Sequence, residues 1–235
     1  MIDYIKGHTL LINKPLRWTS FDVVKKIRNT LRSGLQLKNI KVGHAGTLDP
    51  LADGLLIVCT GKFTKLINEF QAQEKEYTAE FTLGATTPSF DLETEINETF
   101  NYNHINEDML KTTTEKLTGN ILQTPPIYSA IKRDGKRLYE YARKGEDVKI
   151  KERIVHVSKF EIIKVEMPKV YVRIVCSKGT YIRSLAQTFG KNLNSGAHLS
   201  QLTRIRIGKF ELSQAIDIQE FIDSFSLRNN PATEH

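Results

Sequence analysis

Three glycines fall within the twelve residues Gly43-His44-Ala45-Gly46-Thr47-Leu48-Asp49-Pro50-Leu51-Ala52-Asp53-Gly54, and the apolar run Leu55-Leu56-Ile57-Val58-Cys59 follows at once. The glycines let the backbone take positive φ and come close to a ligand. Pro50 fixes its own φ and biases Asp49 away from helix. The apolar run reads as a buried strand and is far too short to cross a bilayer. A carboxylate is thus held on a stiff loop ahead of a buried strand, a placement suited to nucleophilic or acid–base work. On its own, an Asp-Pro step reads more readily as an Asx-turn that stabilises the loop, and His44 as a structural hydrogen-bonder. The rest of the chain has to decide.

Along the chain, His8–Asn13 reads as a short strand that ends at Lys14-Pro15. Ser20 is placed as the N-cap of a helix carrying Val24, Ile27 and Leu31 at helical spacing, with Gly34 as its stop. Tyr77, Ala79, Phe81 and Leu83 alternate with polar residues, the pattern of a half-buried strand. The acidic stretch from Asp91 to Asn103 reads as a solvated loop. Asn106 can cap a helix to Leu117, ended by Gly119. Arg133-Asp134-Gly135-Lys136 is a turn signal, and Tyr139–Lys144 a short helix closed by Gly145. Two β-rich runs follow, Ile154–Val165 and Val170–Cys176. Tyr181–Leu193 reads as a helix, Leu199–Phe210 as loop and strand, and Ala215–Phe225 as a last helix. Without a regular βαβ rhythm, this succession implies an α+β fold with a large mixed or mostly antiparallel sheet. One domain is expected over residues 1–225, followed by a polar tail, 226–235, expected to be disordered.

The formal net charge is +7, and its distribution says more than its sum. Residues 76–110 hold eight acids and no Lys or Arg, so the remaining 200 carry 34 basic against 19 acidic groups. A body that basic suits a polyanion, and nucleic acid is the commonest one in a cytoplasm. The start of the chain has no secretory pattern, so cytoplasmic residence is expected. Cys59 and Cys176 sit in apolar runs with no CxxC pair, which predicts reduced, buried thiols and no thiol-rich zinc site. The chain has no GxxxxGK[ST], HExxH or GxSxG segment, and no metal-ligand spacing. A mechanism without metal or nucleotide cofactor is the expectation. No apolar stripe is left over for an interface, so a monomer is expected.

Two further clusters can carry chemistry. In Lys178-Gly179-Thr180-Tyr181-Ile182-Arg183, the Tyr181 ring can stack on a base and Arg183 can pair with a carboxylate or phosphate. From Lys132 to Arg153 there are nine basic and five acidic groups, interleaved with Tyr139 and Tyr141. That mixture suits a surface that tracks a nucleic-acid backbone, with Lys136 and Arg137 at its turn.

Taken together, these segments resemble the TruB family of tRNA pseudouridine synthases, from about Leu10 to Phe210. The matching stretches are Asn13-Lys14-Pro15 with Trp18-Thr19-Ser20, the segment Gly43 to Ala52, Thr60-Gly61-Lys62 with Thr64-Lys65, and Lys75-Glu76-Tyr77. Leu83-Gly84 with Asp91, Gln123 to Ala130, Cys176 to Arg183, and Gly196-Ala197-His198-Leu199 with Leu202 and Arg204 complete the set. The resemblance implies the pseudouridine synthase fold, a long sheet with flanking helices and a central catalytic cleft. It also implies cofactor-free isomerisation of the uridine at position 55 of tRNA. Asp49 would be the nucleophilic aspartate, Tyr77 would stack on the flipped base, and Arg183 would pair with Asp49. His44 would pack against the tRNA loop, and Tyr181 and Leu202 would line the uracil pocket. Lys65 and Asp91 match motif positions near the cleft.

Three departures from the family pattern stand out. Arg17 replaces the glycine usual after Lys14-Pro15. No glycine follows Asp91, where Leu92-Glu93-Thr94 stand. The chain ends near where many relatives continue into a C-terminal RNA-binding (PUA) domain, so a short form without it is expected. A non-catalytic RNA binder or tRNA-folding chaperone, a synthase acting on another RNA, and an unrelated Asp-dependent hydrolase are the competing readings. The first two keep the basic surface, and the third lacks motif support.

Overall fold

The computed structural model describes every residue except Met1, Ala130, Asp134, Arg143, Asp147, Lys149 and 230–235. In chain order the elements are β1 (Thr9–Lys14), α1 (Ser20–Gly34), β2 (Val42–His44), β3 (Ala52–Thr60), a 3₁₀ turn (Gly61–Leu66), α2 (Ile67–Ala72) and β4 (Lys75–Leu83). Next come β5 (Ala85–Thr86), β6 (Glu98–Thr99), α3 (Glu107–Lys116), β7 (Gly119–Gln123), β8 (Lys132–Arg133), β9 (Lys136–Arg137) and α4 (Leu138–Ala142). The chain closes with β10 (Arg153–Glu166), β11 (Lys169–Cys176), α5 (Ile182–Asn192), β12 (Ala197–Ile207), β13 (Phe210–Glu211), β14 (Ile216–Asp217) and α6 (Ile218–Asn229). By compactness the chain divides into two units. The first holds residues 1–77 and 203–235, the second residues 78–202.

In the first unit the strand order is β14-β1-β3-β12, with β2 on β3 and β13 on β12. β1 pairs with β3 antiparallel and with β14 parallel, so the sheet is mixed. The apolar run of β3 has its explanation here. Leu56 and Val58 point into a cluster with Ile12, Val24, Ile27, Leu31, Phe221 and Phe225, under α1 and α6. Leu55, Ile57 and Cys59 face the opposite side, against Ala45, Ile207 and the half-buried Phe70 and Phe210. A strand covered on both faces has no polar face to alternate with. Cys59 is a free, buried thiol, pushed by burial up to about 11, and Cys176 is also free and buried.

The cap of α1 lies one residue earlier than expected. Thr19, not Ser20, is the N-cap, and it forms a capping box with Asp22: Asp22 N donates to Thr19 Oγ1 at 3.0 Å and Thr19 N donates to Asp22 Oδ2 at 2.9 Å. The signal was present as Thr-x-x-Asp. Ser20 is instead buried and committed elsewhere, as described below. Arg17, in the turn before α1, takes φ 67°. That left-handed conformation costs a residue with a Cβ about 1 kcal/mol and a glycine nothing. The usual glycine at this position is thereby explained.

In the second unit the order is β12-β4-β11-β10-β7, with antiparallel pairing of β10 to both β11 and β7. Phe81, Phe160 and Phe189 meet as edge-to-face and stacked pairs in its core, with centroids 5.7–6.0 Å apart. β4 departs from the half-buried alternation expected for it: only Thr78 and Thr82 are partly exposed between Lys75 and Leu83. Its polar members are buried in ion pairs. Glu76 meets Arg206 at 2.7 Å in the first unit, and Glu80 meets Lys169 at 3.1 Å in the second.

Asn106 caps α3 through a bond from Met109 N, and the expected hairpin at Arg133–Lys136 pairs β8 with β9. The acidic stretch is mostly exposed, but Asp91 at its start is 4% exposed, and Glu98–Thr99 pair with β5 rather than forming free loop. α6 continues to Asn229, past the Phe225 boundary expected from sequence, while 230–235 lie outside the described residues. Among the described residues no helix is long and apolar enough to cross a membrane.

Candidate active site

In the first unit the chain leaves β2 at His44, whose register partner on β3 is Val58, and turns through Gly46 at φ 102° into Thr47-Leu48-Asp49-Pro50. Both flanks of Asp49 are fastened. Ala45 N donates to Ile57 O at 2.8 Å. The buried Ser20 hydroxyl accepts from Leu48 N at 2.8 Å and donates to Leu48 O at 3.1 Å. On the other side, Arg17 N donates to Pro50 O at 2.7 Å, and Ala52 N to Asp49 O at 3.1 Å. Asp49 is half-buried at the centre of this frame.

Two buried cations complete it. Arg204, 1% exposed, donates from Nε to Leu55 O at 2.8 Å and from Nη2 to Gly46 O at 3.1 Å, so one guanidinium ties the loop's entry to its exit. β12 runs so close here that a Cβ on Gly54, at φ 97°, would lie 2.4 Å from Arg204 O. Only glycine fits that position. Lys14, fully buried, donates from Nζ to Pro15 O at 2.9 Å and to Trp18 O at 2.6 Å. Burial lowers it to about 8, against the attraction of Asp53 and Asp49.

A titration test follows for Lys14. Its folded value of about 8 lies below the ordinary 10.5, so below pH 8 the lysine is charged both folded and unfolded, and the burial penalty is constant. Between the two values the unfolded chain binds more protons, and stability rises with pH. Relative to Lys14→Met, the wild-type protein should therefore gain about 1–2 kcal/mol on going from about pH 7.5 to about 9.5. Urea unfolding at each pH reads this directly, and a pH-independent difference would refute it.

His44 is half-buried. Burial first, then the Arg204 charge, holds its imidazole below the ordinary value, with a Gly46 backbone hydrogen bond opposing. It is neutral at pH 7 and can pack against a ligand without bringing charge. Tyr77 is buried at 9% exposure, on the part of β4 that belongs to this unit. Lys65 is exposed on the 3₁₀ turn, where it lines a surface hollow with Lys41 and Lys62.

The second unit assembles another group. Arg183, 3% exposed on the first turn of α5, donates to Tyr128 O at 3.0 Å and Ser89 O at 3.3 Å. Its Nε lies 3.6 Å from the buried Asp91 carboxylate, whose other oxygen accepts from Glu93 N at 3.0 Å. Asp91 is thus a buried counter-ion, not part of the solvated loop. Gln123 holds the Tyr181 backbone at both ends, accepting from its N at 2.8 Å and donating to its O at 3.1 Å. The Arg153 guanidinium sits 5.0 Å from the Tyr181 ring centroid and also bonds Gly179 O. Leu202 is buried at 9% exposure. Lys136 and Arg137 are exposed on β9, each near a tyrosine ring, Tyr141 at 6.0 Å and Tyr139 at 5.9 Å. Asp134, Arg143, Asp147 and Lys149 of the same basic segment lie outside the described residues.

Sequence reasoning named no role for Lys14, Gln123 or Arg204, read Ser20 only as a helix cap and read Arg153 only as the end of a basic segment. All but Arg153 stand inside the matched motif stretches, which was the available signal. Among the described residues no group of three His, Cys, Asp or Glu side chains is arranged to hold a metal ion.

The sequence model described as "TruB family pseudouridylate synthase (N terminal domain)" matches residues 32–182. A protein of Flavobacterium johnsoniae named tRNA pseudouridine synthase B is 55% identical over 223 residues, covering 94% of this chain and 97% of its own length. The protein of that name from Parabacteroides distasonis is 51% identical, with 97% of each chain covered. Among solved structures, a chain of a Cbf5-Nop10-Gar1 complex is 28% identical with a TM-score of 0.74. A chain of an H/ACA RNP bound to a substrate RNA containing 2'-deoxyuridine is 26% identical with a TM-score of 0.70. The present chain is covered to 98% in both but spans only 58% and 57% of those longer chains. The α+β architecture is the pseudouridine synthase fold, and the chain belongs to the TruB family of pseudouridylate synthases.

Proposed function

We propose that the protein isomerises uridine to pseudouridine at position 55, in the T-arm loop of tRNA, with Asp49 as the catalytic carboxylate and without a cofactor. The observation that carries this reading is the Asp49 loop. A half-buried aspartate sits on a loop fastened on both flanks by the Ser20 and Arg204 side chains and by the main-chain N–H of residue 17, in a chain 55% identical over 94% of its length to a protein named for this reaction. Fixing a reacting group in advance is what a positioned nucleophile requires.

The reaction breaks the C1′–N1 glycosidic bond, forms a C1′–C5 bond, releases the C5 proton and leaves a proton on N1. A carboxylate can assist by attacking sugar or base, or by aiding elimination. The target base must leave its stack, which costs roughly a few kcal/mol, offset by the pocket that receives it. In this reading Tyr77 stacks on the flipped base, Tyr181 and Leu202 line the uracil site, and Arg183 orients Asp49. Neutral His44 packs against the opened loop. Lys65 and Asp91 complete the set, Asp91 by holding Arg183. The protein works as a monomer in the cytoplasm.

The test is a tRNA transcript carrying tritium at C5 of its uridines, incubated without metal or nucleotide. Release of tritium equal to one uridine per tRNA, lost when uridine 55 is replaced by cytidine, supports the reading. Binding without release would favour a chaperone, and release unaffected by the replacement would point to another uridine. Lys136 and Arg137 serve this reading as phosphate contacts to the T arm. Replacing both by Gln should weaken tRNA binding and reduce the slope of log K against log salt by about 1.5–2. An unchanged slope in a filter-binding titration would move the RNA surface elsewhere.

A further inference from the structure

Beside the Asp49 loop lies a surface that the reaction as described leaves unused. Arg17, Trp18, Asp22, Lys25, Lys26 and Asn29 line an open hollow of about 390 Å³. Three cations face one carboxylate, and that carboxylate already accepts from Thr19 N at 2.9 Å and Thr19 Oγ1 at 2.5 Å in the capping box. Among the described residues none of the three cations has an ion-pair partner within 4 Å. Phe21, 59% exposed, stands one helical turn from Lys25, and Leu16 on the preceding turn is 52% exposed. Trp18 is half-buried and packs against the apolar core of this unit.

Arg17 makes this more than a basic surface. Its backbone is strained at φ 67°, and what the turn needs from it is one N–H, given to Pro50 O at 2.7 Å. A glycine would supply the same bond without strain. The exposed guanidinium does nothing for the turn, so the strain is retained for something the side chain does. Arginine presents donors in a planar fork that matches a phosphate, and exposed aromatics among cations are what a nucleic-acid strand binds to. The bond to Pro50, the residue after Asp49, puts this fork next to the reacting loop.

We infer that Arg17, with Lys25 and Lys26, clamps the phosphodiester backbone of the substrate RNA beside the target nucleotide, with Trp18 and Phe21 giving it an apolar and stacking surface. The inference rests on the reading of the substrate as tRNA. The clamp acts on RNA affinity and not on bond breaking.

The decisive variant is Arg17→Gly, because it separates the turn from the side chain. Its melting temperature should stay level or rise by about 2–4 °C as the strain is relieved. Its Kd for the tRNA transcript should weaken by about threefold to tenfold. The salt slope should fall by about 1. KM should rise in step with Kd while kcat changes less than twofold. Lys25→Gln with Lys26→Gln should weaken binding similarly without touching the turn, and Arg17→Lys should recover part of the loss. An Arg17→Gly protein with unchanged Kd and salt slope overturns the clamp. So does a fall in kcat with KM unaltered, which would make Arg17 a support for the Asp49 loop. If wild-type protein releases no tritium, the assignment of the reaction fails, while the clamp is still judged by Kd and salt slope on the same transcript.

Discussion

Asp49→Asn should lower tritium release from the tRNA substrate by about four orders of magnitude or more, the scale on which loss of a catalytic nucleophile is felt. Its tRNA affinity should stay within about tenfold, or about 1.4 kcal/mol. The two parts come from different atoms. The frame around residue 49 is built from main-chain groups and from other side chains: Ala52 N on Asp49 O, Arg17 N on Pro50 O, and Ser20 on Leu48. Asparagine keeps the shape and all of those bonds and removes only the charge and its nucleophilicity. Single-turnover rates with filter-binding affinities separate the outcomes. If binding collapses with activity, residue 49 is structural. If a tenth of the rate survives, the carboxylate is a bystander. The buried Lys14 offers an internal control. Asp49 is one of the charges holding it up, so the variant should depress Lys14 further.

Arg204→Met should destabilise the protein by about 3–5 kcal/mol and cost activity as well. The guanidinium is 1% exposed and serves two carbonyls, Leu55 O and Gly46 O, 2.8 and 3.1 Å away. Methionine fills much of the volume but leaves both acceptors without that donor, each a penalty of about 1–3 kcal/mol. Arg204→Lys should recover little, because one ammonium does not reproduce two donors in a fixed fork. The loop's entry at Gly46 and exit at Leu55 would then move independently, and kcat should fall with the unfolding midpoint in urea. Loss of the Arg204 charge also removes one of the two influences lowering His44. The imidazole should titrate nearer its ordinary value in the variant, visible by NMR. A variant with wild-type stability would show that the two carbonyls are served some other way.

These two residues mark the reach of sequence reading at the site. Asp49 draws notice, because glycines and a proline crowd around it, although alone its loop reads rather as an Asx-turn and the resemblance to a family decides the matter. Arg204 draws none. A single arginine in an alternating strand reads as a solvent-facing residue, and its acceptors lie 149 and 158 residues away along the chain. Lys14 was hidden in the same way, as the polar end of a short strand. The cap of α1 was misplaced for a local reason: Thr19 and Ser20 are both good cap residues, and tertiary demand from Leu48 decided between them. In β4, alternation suggested a solvated face, yet Glu76 and Glu80 face basic partners that no local pattern reveals. Arg183 was legible as a carboxylate partner, but the Asp91 contact needed the fold to bring together two residues 92 positions apart.

Arg204 has a consequence for how the protein comes to be active. Neighbouring positions on a strand point to opposite faces, so a slip of β12 by one residue against β3 would turn this guanidinium away from Gly46 and Leu55. It would also bring a different backbone carbonyl against Gly54, the position with no room for a Cβ. A misregistered chain could still bury most of its apolar residues and look folded by circular dichroism. It could not hold the Asp49 loop. Specific activity after refolding should therefore fall with the fraction of chains in the wrong strand alignment, a loss that circular dichroism does not register.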